Sequence, residues 1–352
     1  MNIEVLDRNF EIKTTVEEED VQWHNVLEAP FDIYGLFEPK NGKPMRRIPK
    51  EVAESVSAPV EALCQNTAGG RIRFRTDSPY IAVRVFYDRF EFFSHMPLSG
   101  KGGFDLYRYE NGNYYFVKNA MPNFSDKNGY ERIFFKTNSG MNDFLIHMPL
   151  YNNVSAVYIG LKEGSKLEAG AKYRDVKPVL YYGSSITQGG CASRPANAYT
   201  NMISMMLDID HINLGFSGNA RGELAMADYI GSLDLSVFVL DYDHNAPNVE
   251  HLKNTHEAFF KRYRMHKPNT PVIMVSRPDI NIDKNSPLRA EIIRTTYENA
   301  VANGDKNVMF IDGSTLFGTD MRESCTVDGC HPNDLGFYRM AKVIGEAVAK
   351  YI

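Results

Sequence analysis

A serine, an aspartate and a histidine in this sequence have the types and local contexts that nucleophilic acyl chemistry requires. Ser185 follows the apolar run 179–182 in the sequence Gly-Ser-Ser, before a glycine-rich turn. Asp328 and His331 occur together in the sequence Asp-Gly-Cys-His-Pro. A serine hydroxyl becomes a useful nucleophile when a base takes its proton and a third group orients that base. We therefore predict a catalytic triad in which Ser185 attacks, His331 carries the proton and Asp328 orients the imidazole.

The same chemistry needs an oxyanion hole, a set of hydrogen-bond donors for the negatively charged oxygen of the tetrahedral intermediate. The backbone N–H of Ser185 is one candidate, because it points into the turn that follows the apolar run. Gly218 follows the next apolar run and can direct its N–H to the same place, since it has no Cβ. Asn245, four residues after Asp241, can offer its side-chain amide. We predict that Ser185, Gly218 and Asn245 form the oxyanion hole.

Three further charged residues follow apolar runs of the same kind. Asp241 and Asp243 have two open interpretations, which are contacts to substrate hydroxyl groups and hydrogen bonds that order the loop. Arg277 follows the fourth apolar run, and either orients the substrate or is a surface arginine in a turn. Asp243 and Arg277 are the candidate substrate-binding residues.

Apolar runs alternate with helical patterns from about residue 176 onward, which predicts a parallel sheet with helices on both faces. The predicted strands are 179–182, 211–214, 237–240, 272–275 and 308–311. The predicted helices are 196–207, 249–265, 287–302 and 335–350, the last of them capped by Asn333 or Asp334. Because the carboxyl ends of parallel strands meet at one edge of the sheet, the predicted site residues should converge there.

The first half of the chain has the period of two that indicates β structure. Charged and apolar residues alternate over 71–75, and a period of two continues in Ile81, Val83, Val85 and Tyr87. The Asn111-Gly112 pair between two aromatic-rich segments predicts a hairpin. We expect an antiparallel β-sandwich of the jelly-roll kind over 1–172, followed by an α/β catalytic domain over 173–352. A chain of 352 residues is also long for a single core.

Four segments, in this order, resemble the sequence blocks of the SGNH hydrolase superfamily, the GDSL-type lipases and esterases. They are 179–189, 213–219, 240–247 and 328–332. The segment 103–107, Gly-Phe-Asp-Leu-Tyr, is similar to the GxDLY motif of a β-domain that precedes the catalytic domain in one subgroup. The resemblance implies a three-layer, flavodoxin-like hydrolase domain.

The resemblance also implies the residue roles. Ser185 would be the nucleophile, Gly218 and Asn245 oxyanion donors, and Asp328 and His331 the rest of the triad. Two segments depart from the family pattern. Ser184 stands where the family name has aspartate, and the third segment contains Asp-Tyr-Asp-His-Asn where the family has Gly-x-Asn-Asp.

Composition argues against several other classes of protein. A formal net charge of -5 disfavours nucleic-acid binding, and no apolar run reaches the ~18 residues of a membrane helix. Neither a GxGxxG nor a GxxxxGK[ST] motif is present, so we expect no nucleotide cofactor. We interpret His244, His251 and His256 as histidines of a helix surface and expect no metal, because no HExxH occurs. The first residues contain no secretory apolar region, so the expectation is a cytoplasmic protein, or an extracytoplasmic one if a signal peptide has been removed.

We therefore predict a serine esterase that hydrolyses short-chain acyl esters, acetyl esters in particular, on small-molecule or oligosaccharide substrates. Two alternatives stay open. The first is a lysophospholipase or thioesterase, which would prefer long acyl chains. The second is a glycan-binding protein without catalytic activity, against which the intact Ser185, Asp328 and His331 set argues.

Overall fold

The structure is a computed structural model that describes residues 15–39, 45–278 and 284–352. Its strands are antiparallel up to Glu168, and a parallel sheet begins at Val179. The change in sequence pattern at about residue 176 therefore coincides with a change in the type of sheet. The predicted domain boundary at residue 172 lies between these two strands and stays a prediction.

The first half of the chain forms two antiparallel sheets that enclose one apolar core. The strands are β1 (Val21–Asn25), β2 (Asp32–Tyr34), β3 (Arg71–Thr76), β4 (Ile81–Arg89), β5 (Phe104–Glu110), β6 (Asn113–Ala120), β7 (Gly129–Phe135), β8 (Asn142–His147), β9 (Asn153–Lys162) and β10 (Leu167–Glu168). One sheet has the order β1-β9-β4-β7, and the other has the order β10-β3-β8-β5-β6, with β2 beside β3. Inward-facing residues of both sheets, among them Phe74 and Val83, share one buried cluster. This arrangement is the predicted β-sandwich.

The hairpin predicted at Asn111-Gly112 joins β5 to β6. Both turn residues have positive φ, 50° at Asn111 and 81° at Gly112. A two-residue turn of this type needs such angles, because its twist then matches the twist of the strands it joins.

The second half contains one parallel sheet of five strands. The strands are β11 (Val179–Gly183), β12 (His211–Gly215), β13 (Val237–Asp241), β14 (Val272–Val275) and β15 (Val308–Ile311), in the order β12-β11-β13-β14-β15. All five sequence predictions are confirmed. The chain reverses its direction of winding at β11, between β12 and β13, and sheets of this kind bind ligands outside the carboxyl ends of the strands at such a point.

Helices cover both faces of this sheet, which gives the predicted three layers. In chain order, the α-helices of the described residues are α1 (Lys50–Val56), α2 (Ala58–Leu63), α3 (Leu98–Lys101), α4 (Ser185–Gln188), α5 (Tyr199–Leu207), α6 (Leu224–Ser232), α7 (Val249–His266), α8 (Ser286–Ala302) and α9 (Asp334–Val348). Tyr181 packs in a cluster with residues of α5 and α9, and its neighbour Tyr182 packs with residues of α6, α7 and α8. Successive side chains of a strand point to opposite faces, so the continuous apolar run of β11 reflects burial on both sides.

The four predicted helices are confirmed, but α1, α2, α3, α4 and α6 were not predicted. The first two interrupt the β-rich half, where Ser57 caps α2 by accepting a hydrogen bond from the Val60 N–H. At the other end of the chain, the Asn333 side chain accepts hydrogen bonds from the N–H groups of Leu335 and Gly336. Asn333 is thus the cap of α9. Among the described helices, none has the length and apolarity that crossing a membrane requires.

Buried polar contacts join the two halves. Asp105, the aspartate of the GxDLY-like segment, accepts a hydrogen bond from the Ala196 N–H at 2.8 Å and pairs with Arg194 at 3.3 Å. Arg47 donates to the backbone oxygens of Asn213 and Gly215 at the end of β12. The first half therefore supports the edge of the parallel sheet from which the predicted site residues come.

Candidate active site

Ser185 occupies a tight connection between β11 and α4. The Ser184 hydroxyl accepts a hydrogen bond from the Ile186 N–H at 3.1 Å and caps the helix. Glycine is needed at position 183, at the strand end, because a Cβ there would lie 2.4 Å from the Asp241 backbone oxygen. These contacts leave Ser185 as the first helical residue, with only 8 % of its surface exposed. Ser184, which replaces the family aspartate, thus has a local structural role.

The hydroxyl of Ser185 meets the imidazole of His331. The Ser185 Oγ lies 2.9 Å from the His331 Nε2, although the two residues are 146 positions apart. The His331 Nδ1 lies 2.8 Å from the Asp328 Oδ2. The structure therefore brings the three predicted triad residues together in the order that proton transfer from a serine requires.

Asp328 and His331 are held by one short loop. The Asp328 Oδ1 accepts hydrogen bonds from the backbone N–H groups of Cys330 and His331, at 3.0 and 2.7 Å. Gly329 has a φ of 85°, which permits the turn. Partial burial would raise the pKa of Asp328, but the hydrogen bonds from His331 and Cys330 outweigh it and lower the pKa to about 2. Asp328 is therefore an ionised acceptor for the imidazole across the neutral pH range.

The three predicted oxyanion donors lie at neighbouring strand ends. The Ser185 N–H is in the first turn of α4, where backbone donors have no partner within their own helix. Gly218 has a φ of 69° and donates its N–H to the Asn245 Oδ1 at 3.1 Å. The Asn245 Nδ2 donates one hydrogen to the Phe216 backbone oxygen at 2.8 Å, which leaves its second amide hydrogen. Gly218 thus orients the Asn245 amide in this structure.

Asp241 lies beneath the nucleophile and is fully buried. Its Oδ2 accepts hydrogen bonds from Thr187 at 3.0 Å and from Tyr199 at 2.9 Å. Burial raises the pKa of Asp241 to about 7, and the two hydroxyl donors oppose that rise. Because Thr187 belongs to α4, this carboxyl group ties the helix of the nucleophile to the end of β13. Of the two interpretations of Asp241, these contacts favour ordering of the structure.

The candidate substrate-binding residues Asp243 and Arg277 contact each other and the protein. The Asp243 carboxylate pairs with Arg289 at 2.8 Å and accepts the Arg277 N–H at 2.9 Å. The Arg277 guanidinium donates to the Ser286 hydroxyl at 2.8 Å. These contacts order the loop that carries Asn245, and substrate binding by Asp243 or Arg277 stays a prediction.

The three histidines assigned to a helix surface have different environments. His251 is partly exposed in the first turn of α7, with its Nε2 2.8 Å from the Arg221 backbone oxygen. His256 is buried and lies 2.9 Å from the Thr296 hydroxyl, so the expectation of a surface position is wrong for it. His244 is half-buried in a one-turn helix, with its Nδ1 3.8 Å from the Cys330 sulfur. Burial lowers the pKa of both His244 and His256 to about 3, so both are neutral at ordinary pH.

Three residues near the triad were not found from the sequence. The Tyr151 hydroxyl donates to the Ser185 backbone oxygen at 3.1 Å. The ring of His95 lies 5.6 Å from that of His331, centroid to centroid. Cys191 is buried with a φ of 71°, and burial raises the pKa of its thiol to about 12. Tyr151 and His95 belong to the first half of the chain, where nothing in the local sequence connects them to the triad.

A cleft of about 280 Å³ adjoins the predicted oxyanion hole. Ser217 and Asn219, on either side of Gly218, line it together with Tyr151 and Phe93 from the first half. A larger cleft of about 700 Å³ lies between α7 and α8, and none of the described residues that line it is a predicted site residue. We assign the smaller cleft to the site because it contacts the loop of Gly218.

Comparison with known proteins places this arrangement in a family. Residues 176–349 match the model of the GDSL-like lipase/acylhydrolase family. Residues 21–167 match the model of the N-terminus of SGNH-hydrolase-type esterases. Together the two matches span most of the chain, which belongs to the GDSL-like lipases and acylhydrolases and is a carboxylic ester hydrolase. No curated protein matches the sequence.

Several solved structures share the whole architecture. A protein from Bacteroides ovatus described as a GDSL-like lipase has 27 % identity and a TM-score of 0.85, over 94 % of this chain and 98 % of its own. A salicylyl-acyltransferase, SsfX3, from a tetracycline biosynthetic pathway has 18 % identity and a TM-score of 0.77, over 95 % and 98 %. An acetyl xylan esterase, Est2A, from Butyrivibrio proteoclasticus has 15 % identity and a TM-score of 0.58, over 94 % and 98 %. The last two show likeness of fold.

Proposed function

We propose that this esterase hydrolyses short-chain acyl esters of carbohydrates, acetyl esters in particular, through an acyl-enzyme on Ser185. The observation that carries the mechanism is the continuous hydrogen-bonded set from the Ser185 Oγ through His331 to Asp328, at 2.9 and 2.8 Å. General-base activation of a serine requires contacts of this length.

The three triad residues act together in both half-reactions. The Ser185 Oγ attacks the ester carbonyl carbon while the His331 Nε2 takes its proton. The imidazolium then gives that proton to the alcohol oxygen as the carbon–oxygen bond breaks. Water attacks the acyl-enzyme in the same way, with His331 as its base, and releases the acid and free Ser185. Asp328 stays ionised and stabilises the imidazolium, as its low pKa allows.

In the proposed oxyanion hole, the negatively charged oxygen of the tetrahedral intermediate lies between Ser185, Gly218 and Asn245. Neither the Ser185 N–H nor the second hydrogen of the Asn245 amide donates in the hydrogen bonds described above, so both can donate to the substrate oxygen. The Gly218 N–H already bonds to the Asn245 Oδ1, so in this conformation it fixes the amide that donates. Preorganised donors of this kind stabilise the transition state because they need no rearrangement during the reaction.

The cleft beside Gly218 supports a polar alcohol group. Its lining combines the charged side chains of Arg89 and Glu91 with the amide of Asn153 and the rings of Phe93 and Tyr151. Mixed polar and aromatic walls suit a ligand with hydroxyl groups and apolar ring faces better than a long alkyl chain. The fold is shared with an acetyl xylan esterase and with a family two carbohydrate esterase in complex with cellohexaose.

The proposal is tested first on p-nitrophenyl acetate, butyrate and a long-chain ester. We expect the highest kcat/KM on acetate and its loss in Ser185→Ala, which keeps the fold but has no nucleophile. Ser184→Ala is the matched control, because Ser184 caps α4 and does not contact His331. Equal rates in wild type and Ser185→Ala would contradict the serine mechanism.

The substrate class is tested by acetate release from acetylated xylo- and cello-oligosaccharides. We expect kcat/KM on these esters to exceed that on p-nitrophenyl acetate, because their sugar rings fill the cleft. A preference for long-chain lysophospholipids or acyl thioesters would replace the carbohydrate assignment with the lipase-like alternative. Glycan binding with no hydrolysis of any ester would favour the non-catalytic alternative.

A further inference from the structure

Three side chains from separate segments converge beside the predicted triad. A ring nitrogen of His95, the sulfur of Cys191 and a ring nitrogen of His331 all lie within 4.8 Å of one another. His95 comes from the segment between β4 and α3, and Cys191 from the turn after α4. No local sequence pattern indicates this cluster, because its members are far apart in the chain.

The cluster has the donor set of a zinc site. Two imidazoles and one thiolate suit Zn²⁺ and other borderline or soft divalent ions, and they disfavour Mg²⁺ and Ca²⁺. With Zn–N near 2.0–2.1 Å and Zn–S near 2.3 Å, tetrahedral ligand atoms lie about 3.3–3.6 Å apart. The three donor atoms lie within 4.8 Å of one another, so small rotations of these side chains, among them the half-buried His95, can bring them to such separations.

Two of the three ligands are already oriented. The His331 Nδ1 is held by Asp328 at 2.8 Å, which leaves the Nε2, now facing the Ser185 hydroxyl at 2.9 Å, as the ligating nitrogen. A carboxylate on the second nitrogen of a histidine is the usual outer support of a zinc ligand. Cys191 has a φ of 71°, a conformation that is costly for a residue with a Cβ, and such positions concentrate at functional sites. The tight turn after α4 therefore fixes the thiol beside His331.

We propose that His95, Cys191 and His331 form a Zn²⁺ site whose occupancy inhibits the esterase. The ion would bond to the His331 Nε2 and displace the hydrogen bond from the Ser185 hydroxyl, with water as the fourth ligand. Cys191 ligates as a thiolate, so its proton is released to solvent on binding. Inhibition rests on the proposed function, since it requires that His331 be the base. The binding of the ion does not rest on it.

Binding is measured directly, by calorimetric titration of the full chain with Zn²⁺ and by the spectrum of the Co²⁺-loaded protein. We expect one tight equivalent in wild type and at least about a 10-fold weaker affinity in His95→Ala and in Cys191→Ser. The thiolate-to-cobalt charge-transfer band should be present in wild type and absent in Cys191→Ser. Cys64→Ser is the matched control, because Cys64 is also buried but contacts Arg46 and Glu61 instead. It should bind like wild type.

Inhibition is measured separately, as the activity of each variant with Zn²⁺ relative to its own activity with a chelator. We expect reversible loss of activity in wild type and at least about a 10-fold higher inhibitory concentration in His95→Ala and Cys191→Ser.

Equal Zn²⁺ affinity in wild type, His95→Ala and Cys191→Ser would overturn the site. Tight binding with unchanged activity would overturn the inhibitory role. Ser185→Ala has no nucleophile but keeps all three ligands, so its Zn²⁺ binding tests the site even if the proposed esterase mechanism fails.

Discussion

The two sides of the contact between Ser185 and His331 are built in different ways. Ser185 sits at the end of a strand that is buried on both faces, and its position depends on residues from much of the chain. His331 lies in an exposed loop, and Asp328, only three residues earlier, accepts hydrogen bonds from both its backbone and its ring. The nucleophile is therefore fixed by tertiary packing, whereas the base is fixed by its own loop.

Two carboxyl groups show the same difference in their ionisation. Asp328, in the exposed loop, has its pKa lowered to about 2 by hydrogen bonds from the loop. Asp241, beneath the nucleophile, has its pKa raised to about 7 by burial. One carboxyl group serves as a permanent negative charge, while the other is a buried support whose charge depends on pH. Substitutions in the two regions should therefore separate loss of activity from loss of stability.

Asp328→Asn should have the largest effect on activity. The amide cannot stabilise the imidazolium, and it can favour the wrong tautomer of His331, so kcat should fall by about 10³–10⁴. The free energy of unfolding at pH 7 should change little, since the side chain is 36 % exposed. Because the folded pKa is depressed, any contribution of this carboxylate to stability is present at pH 7 and is lost as the pH falls from about 4 to about 2. Measurements of kcat and of urea unfolding at pH 7 check both parts. A large loss of stability at unchanged activity would reverse the comparison.

Asn245→Ala should rank second, because it removes one predicted oxyanion donor from the rigid side of the site. The expected loss is about 10²–10³ in kcat with a small change in KM, since the donor acts on the transition state. The Gly218 N–H would be released from its bond to the Asn245 Oδ1 and could partly compensate. Steady-state kinetics on p-nitrophenyl acetate separate the two constants. A rise in KM alone would instead assign Asn245 to substrate binding.

The regular parts of the parallel sheet were predictable, and the reason is visible in β11. All five of its residues are buried, so its apolar run is continuous and ends at the serine. The loop of Asp328 and His331 was predictable because its contacts are local. In contrast, the nearness of His95 and Tyr151 to the triad depends on how the two halves pack, through contacts such as that of Asp105 with Arg194. No local pattern encodes such contacts. Likewise, α1 and α2 were missed because they occur inside a region of β pattern.

Asp241→Asn should change how stability depends on pH. The folded pKa of about 7 lies above the ordinary value of 3.8, so between these values the folded protein holds a proton that the unfolded chain lacks. The stability of the wild type therefore falls as the pH rises through this window. Asparagine does not titrate, so from about pH 4 to about pH 8 the variant should gain about 2 kcal/mol relative to wild type, a discounted share of the full shift. Urea unfolding of both proteins at the two pH values measures this gain. An equal difference at both would show that Asp241 keeps one charge state throughout.

Asn333→Ala should have the smallest effect, and it tests whether the base is held only by its own loop. The substitution removes the cap of α9, which typically costs about 1 kcal/mol of stability. It also removes the hydrogen bond from the Asn333 Nδ2 to the Ser324 backbone oxygen. If the bonds within the loop are sufficient, Asp328 still holds His331, and kcat/KM on p-nitrophenyl acetate should stay within about 3-fold of wild type. Thermal unfolding and kinetics on the same preparation measure the loss of stability and the change in kcat/KM. Asn303→Ala is the control, because Asn303 also lies at a helix end, just after α8, but away from the site. A fall of about 10-fold or more in activity would show that α9 positions the imidazole, and that the base also depends on tertiary packing.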